Sequence, residues 1–376
     1  MERLLSLDKK LLTTGLVLLA FMVKAQDPVF SQFNLNKNYL NPAYAGYSED
    51  LSAGINHRIQ WSNIPGKFNT TTFNANMGCG QGRVGFALAG YDHVEGEGLL
   101  RTKNGALQIS VNIPGKLARW WGKKLYRRKF ITSGGLSVAV GQKSIDWSKL
   151  TFSDQYSPYQ GYLNQPSVAS GFASTSNTIF DVSAGLKTQA QINKRGSYVS
   201  FGGAVFHLNK PVETFFDSDN RLPIRYTYHF FTYFQLKKFT NKPNYVSLGM
   251  ISDNQASLKT NTVMVSKDID HFAKVSAGFR RQNFLLIDEN VDALIIQGLI
   301  SFGGLTLGYS YDVTISKLGP HRTYGTHEFG IAYTFKGVNV CRGKGKGRKG
   351  KKSHDNCFML MDDVSSNFRD LYLWNP

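Results

Sequence analysis

Charge is scarce in this chain. Asp, Glu, Lys and Arg make up only 19% of its 376 residues, against roughly 25% in an ordinary soluble domain. Long apolar runs are missing too. After the N-terminus nothing approaches the roughly 20 apolar residues of a spanning helix. That excludes a helical membrane protein. It leaves open a transmembrane β-barrel, whose apolar residues are diluted by alternation. Cysteine is limited to Cys79, Cys341 and Cys357, with no metal-ligand spacing to histidine. The eight histidines (57, 93, 207, 229, 271, 321, 327 and 354) are scattered. No nucleophile, acid–base pair, metal site or phosphate cradle emerges, so the expectation is a non-enzyme without a cofactor.

Abundant instead are aromatic residues, at 13%, and glycine, at 37 residues. Lys and Arg number 44 against 26 acidic residues, a formal net charge of +18. Modest hydrophobicity with many aromatics and glycines points to half-buried strands.

Residues 1–25 read as a secretory leader. Arg3, Lys9 and Lys10 precede an apolar stretch from Leu11 to Met22, and Val23-Lys24-Ala25 supplies the cleavage site. The apolar stretch is short for an N-terminal anchor helix. The mature chain would begin at Gln26, and loss of four basic and two acidic residues leaves it near +16. In an oxidising compartment Cys341 and Cys357 could close a loop around the basic tail; a pair of free thiols is the alternative.

Fourteen segments of about ten residues alternate apolar and polar and break at Gly, Pro, Asn or Asp. They lie near 50–61, 68–78, 81–92, 100–112, 130–142, 178–191, 197–208, 225–238, 244–251, 259–267, 271–281, 291–301, 303–314 and 324–335. In the last, Phe329, Ile331, Tyr333 and Phe335 share one face and Thr326, Glu328, Gly330, Ala332 and Thr334 the other. In the one before it, Asp312 falls on the polar face. The intervening lengths sort by parity. One set of connections is six residues or longer throughout, including 143–177 and 209–224. The other is five or fewer, apart from 113–129. Short periplasmic turns and longer external loops are the bacterial barrel pattern. The expected fold is an all-β transmembrane antiparallel barrel of about 14 strands over 50–335, with both termini periplasmic. Glu328 to Phe335 also resembles the C-terminal insertion signal of outer-membrane barrels.

Two basic clusters then fall on the periplasmic side. One is Lys116, Arg119, Lys123, Lys124, Arg127, Arg128 and Lys129, with Trp120, Trp121 and Tyr126. It reads either as an interfacial anchor in outer-membrane lipid or as a docking surface. The other is Arg342, Lys344, Lys346, Arg348, Lys349, Lys351 and Lys352, spaced by glycine in the tail 336–376. Such runs often bind nucleic acid, but an exported barrel meets little of it; acidic protein surfaces or anionic headgroups fit better. The aromatic end from Phe358 to Trp374 could fold on a partner or pack under the barrel.

The mature N-terminus reads Gln26-Asp27-Pro28-Val29-Phe30-Ser31-Gln32-Phe33, followed by Tyr39-Leu40-Asn41-Pro42-Ala43-Tyr44-Ala45-Gly46. It closely resembles the opening of the PorP/SprF family of outer-membrane proteins of the Bacteroidota type IX secretion system. Three further stretches resemble later family motifs: Ile145 to Gln155, His207-Leu208-Asn209-Lys210-Pro211, and Tyr309 to Ser316 with Gly325-Thr326-His327-Glu328. The resemblance covers about 26–335. It implies a non-enzymatic part in protein export. The implied partners are a cargo adhesin, gliding adhesins included, bound by its C-terminal domain, and periplasmic ring components with a peptidoglycan-linked lipoprotein. The alternative function is a small-solute porin or lipid transporter.

Residues 26–49 precede the first strand and are dense in aromatics, which argues against a mobile leader. They are expected to form a plug or a base at the periplasmic mouth, with Phe30, Phe33, Tyr39, Asn41, Pro42 and Gly46 as its candidate residues.

Overall fold

A computed structural model describes residues 27–48, 50–79, 83–96, 99–116, 129–163, 165–167, 176–193, 197–215, 220–236, 244–269, 272–282, 291–338 and 341. The strands are β1 Ser52–Gln60, β2 Phe68–Cys79, β3 Val84–Glu95, β4 Leu100–Lys116, β5 Lys129–Ser144, β6 Tyr156–Ser157, β7 Gly161–Tyr162 and β8 Ser176–Gln191. They continue as β9 Tyr198–Phe206, β10 Arg225–Gln235, β11 Tyr245–Gln255, β12 Leu258–Ile269, β13 Ala273–Gln282, β14 Val291–Phe302, β15 Leu305–Thr314 and β16 Thr326–Thr334. β6 and β7 form a small separate ribbon. The other fourteen close into one barrel in chain order, with β1 antiparallel to β16. Each of the fourteen alternating segments is one barrel strand. Closure pairs every strand on both sides, the condition under which strands can cross a bilayer.

Side chains divide as period 2 requires. Phe329, Ile331 and Tyr333 point outward and are 41–56% exposed, while Glu328, on the opposite face of the strand, is fully buried in the interior. The barrel's outer surface is thus an apolar band, and its interior is mostly polar, with an apolar cluster where Phe33 and Leu35 pack near Phe231, Met264, Ile295 and Leu299.

The end where β1 begins and β16 finishes is termed basal, the other distal. Basal connections include 303–304, a two-residue turn in which Gly303 and Gly304 both take positive φ, 62° and 104°. That conformation is open to glycine and matches strand twist. Distal connections include 145–175 and 207–224.

Three boundaries differ from expectation. The stretch 252–258 is not a loop. β11 runs on to Gln255, which pairs with Leu258 across a turn at Ala256 (φ 52°). Its polar residues read as loop because they line the rim rather than the lipid band. The basal turn 239–243 widens to 236–244. The long turn 113–129 shrinks, because β4 and β5 continue as a ladder as far as Lys116 opposite Lys129.

The cysteine pairing also differs. Cys79 is disulfide-bonded to Cys341, with Cα atoms 5.3 Å apart. The Cys341–Cys357 pairing is therefore corrected. After β16 the chain folds back under β1 and brings Cys341 to the end of β2, a proximity invisible in linear spacing. Cys357 lies outside the described residues.

Candidate functional site

The barrel interior holds residues 27–48. Local chemistry shapes this segment first. A single turn of helix, α1 Lys37–Leu40, is followed by a 3₁₀ turn over Pro42–Tyr44. Asn41 caps that turn: its Oδ1 accepts from the Ala43 amide at 2.8 Å, and Pro42 occupies the first position, where no amide is needed. Gly46 then takes φ 59°. The Asn-Pro-Ala-Tyr-Ala-Gly stretch is thus a self-capped turn with a left-handed exit.

The segment crosses the lumen from distal to basal. At its distal start, Asp27 Oδ2 lies 2.9 Å from His207 Nε2 and 2.9 Å from Arg225 Nη1. His207 Nδ1 lies 3.1 Å from Asp181. Burial pushes the Asp27 carboxyl up, but the charges of His207 and Arg225 more than reverse this and hold it below the usual carboxylate range. Burial likewise lowers His207, and the facing carboxylates of Asp27 and Asp181 overcome it, raising the imidazole to about 9. Arg225 also donates to the Tyr39 hydroxyl at 2.7 Å, which donates to the Pro28 carbonyl at 2.7 Å.

Ser31 and Gln32 meet the densest polar cluster. The Ser31 amide donates to Glu328 at 2.8 Å and the Gln32 amide to the same carboxylate at 3.1 Å. The Ser31 hydroxyl donates to Asp312 and accepts from Arg58 at 3.1 Å and Arg280 at 2.7 Å. Arg58 bridges Asp312 at 2.9 Å and Glu328 at 3.0 Å, and Arg280 reaches Asp312 at 3.0 Å. Two guanidinium and two carboxylate groups balance, which is what permits them to be buried.

Apolar and amide contacts carry the rest. Phe33 stacks on Phe231 with centroids 5.2 Å apart, and Phe30 meets Tyr39 edge-on at 4.8 Å. Asn41 Nδ2 donates to the carbonyls of Leu186 (3.2 Å) and Gly203 (3.1 Å), beside His229. Near the basal end Ser110 donates to the Ala45 carbonyl at 2.7 Å, and the Gly78 amide to the Ser48 carbonyl at 2.7 Å.

The wall is cut to fit. A Cβ on Gly185 would collide with the Asn41 side chain, and one on Gly85 with the Ala45 carbonyl. The segment comes this close only because those inward positions carry no side chain.

All six residues singled out in the N-terminal segment, Phe30, Phe33, Tyr39, Asn41, Pro42 and Gly46, lie in this interface. Both basic clusters, Arg119 to Arg128 and Arg342 to Lys352, lie outside the described residues. Lys116 and Lys129 are placed only as the paired strand ends. Sequence reasoning missed Arg58, Arg280, Arg225 and the roles of Ser31 and Gln32. Alternation would have turned Arg58 inward; nothing in it supplies the partner. Among the described residues no group of three or more His, Cys, Asp or Glu is placed to hold a metal ion.

A family model described as "Type IX secretion system membrane protein PorP/SprF" matches residues 22–333. No curated protein matches the chain. Solved structures similar to it include CdiB from Acinetobacter baumannii (7% identity, TM-score 0.39), with 77% of this chain and 60% of CdiB covered. A mutant Rh. blastica porin gives 9% identity and TM-score 0.30, covering 76% of this chain and 99% of the porin. The siderophore receptor PirA from Acinetobacter baumannii gives 9% and 0.29, covering 70% and 43%.

Proposed function

The chain belongs to the PorP/SprF family of type IX secretion system membrane proteins, and from that premise we propose that it is a plugged adaptor of the outer membrane, not a conduit. Residues 26–49 act as the plug. The distal loops face outward and hold the C-terminal domain of a cargo adhesin, a gliding adhesin among the candidates. The basal end faces the periplasm. There the basic clusters at 116–129 and 342–352 engage ring components and their lipoprotein, together with outer-membrane lipid.

The observation that carries this reading is the bonding of Ser31 and Gln32 to Arg58, Arg280, Asp312 and Glu328. A pore lining would face its charges to water. Here the charges are spent on the chain's own N-terminal segment. The orientation rests on the long connections 145–175 and 207–224 sharing the distal end.

Planar-bilayer recording tests the first half. The intact barrel should be silent, and removal of residues 27–48 should open it. A large, steady conductance from the intact protein would establish the small-solute porin or lipid transporter instead. Pull-down of the tagged barrel tests the second half. Adhesin or ring proteins should co-purify in a salt-sensitive manner; recovery of neither, with secretion intact after deletion of the gene, overturns the adaptor reading.

A further inference from the structure

The luminal site leaves the cysteines unused, and their placement has a consequence for the barrel wall. Neighbouring barrel strands are joined through the chain everywhere except between β1 and β16. There the wall is held by the ladder from Ser52 opposite Thr334 to Gln60 opposite Thr326. We propose that the Cys79–Cys341 disulfide is a covalent staple across this seam, making the barrel a covalently closed ring and giving the C-terminal tail a fixed root on β2.

The path of the chain supports this. After β16 the Phe335 amide donates to the Leu51 carbonyl at 2.8 Å, and the Leu51 amide donates to the Val338 carbonyl at 2.9 Å. The chain thereby passes under the start of β1. It then reaches Cys79, the last residue of β2. The strap crosses one strand and fastens to the next. It lies at the basal rim where the luminal segment leaves the barrel, since Ser48 accepts from Gly78 beside Cys79.

Without the staple, load on the tail would peel β16 from β1 one ladder bond at a time. With it, the load passes to β2 through a covalent bond. The bond joins residues 262 apart in sequence, so it also restricts the unfolded chain strongly. Its formation removes two protons and two electrons from two thiols. A disulfide-bearing oxidant accepts them and becomes a dithiol, as export to an oxidising compartment supplies.

The test uses the purified full-length barrel in detergent. Free thiols are alkylated, and the protein is digested without reductant. A peptide pair joining Cys79 to Cys341 is expected; a Cys341–Cys357 pair, or alkylation of all three cysteines, overturns the proposal. The stapling role is read from the temperature at which the folded barrel loses its fast electrophoretic migration. A dithiol reductant, its action verified by alkylated mass, should lower that temperature by about 5 °C or more in the wild type and in Cys357→Ser. It should have no effect on Cys79→Ser. An unchanged wild type, or an equal shift in Cys79→Ser, overturns the role. If Cys79→Ser does not assemble, reduction of the already folded wild type decides alone.

Discussion

The Ser31 hydroxyl donates to Asp312 Oδ2 at 2.7 Å across 281 residues of chain. It also accepts from Arg58 and Arg280. One small side chain in the N-terminal segment thus uses its single donor and both acceptor positions on three wall residues.

Ser31→Ala removes that hub while leaving the four charges in place. The two guanidinium groups each lose a partner in a buried site, at a cost of about 1–3 kcal/mol. Faster cleavage within 27–48 by limited proteolysis of the detergent-solubilised barrel is the expected outcome. A cleavage rate equal to wild type would show that the contact holds nothing.

Glu328→Gln leaves Arg58 with one carboxylate in place of two and weakens the acceptor of two backbone amides. Breaking a buried pair typically costs about 3–5 kcal/mol. The double variant Arg58→Gln, Glu328→Gln should recover part of the loss. A double-mutant cycle on barrel unfolding should give a coupling of about 1 kcal/mol or more. Strict additivity would place the two residues in independent roles.

Gly185→Val pushes a side chain into Asn41, whereas Gly105→Val projects into open space, with nothing within 4 Å of a Cβ there. Single-channel recording should find openings in the first variant and silence in the second. Silence in both would mean that the wall tolerates the intrusion.

Raised pH should free the distal start of the segment. His207 is raised to about 9 by the carboxylates of Asp27 and Asp181. Its stabilising charge is fully present below the unfolded value of about 6.5 and is lost as pH rises through about 9. Asp27, held low, keeps its charge throughout that range. A probe at Pro28 should therefore become more mobile between pH 8 and about 10, and His207→Gln should abolish this dependence.

Much of the barrel was legible because strand alternation is local. Whether Phe329, Ile331 and Tyr333 share a face depends only on their own spacing. Rim strands were harder. Ser252 to Gln255 are polar on both faces, so they resemble loop until β12 is seen pairing with them. Ladder ends at Lys116 and Lys129 were likewise hidden by their composition.

The sequence by itself determined the fourteen strands, their inward and outward faces, the density of aromatics before β1 and the scarcity of acidic residues. These follow from period 2 and from composition, which need no knowledge of distant neighbours. Only the tertiary structure decided that Ser31 meets Asp312 and Glu328, that Gly185 makes room for Asn41, and that Cys341 joins Cys79. Each joins residues far apart in the chain, either the luminal segment to the wall or the end of the chain to β2 across the β1–β16 seam. Closure of the sheet, rather than any local preference, brings such residues within bonding distance.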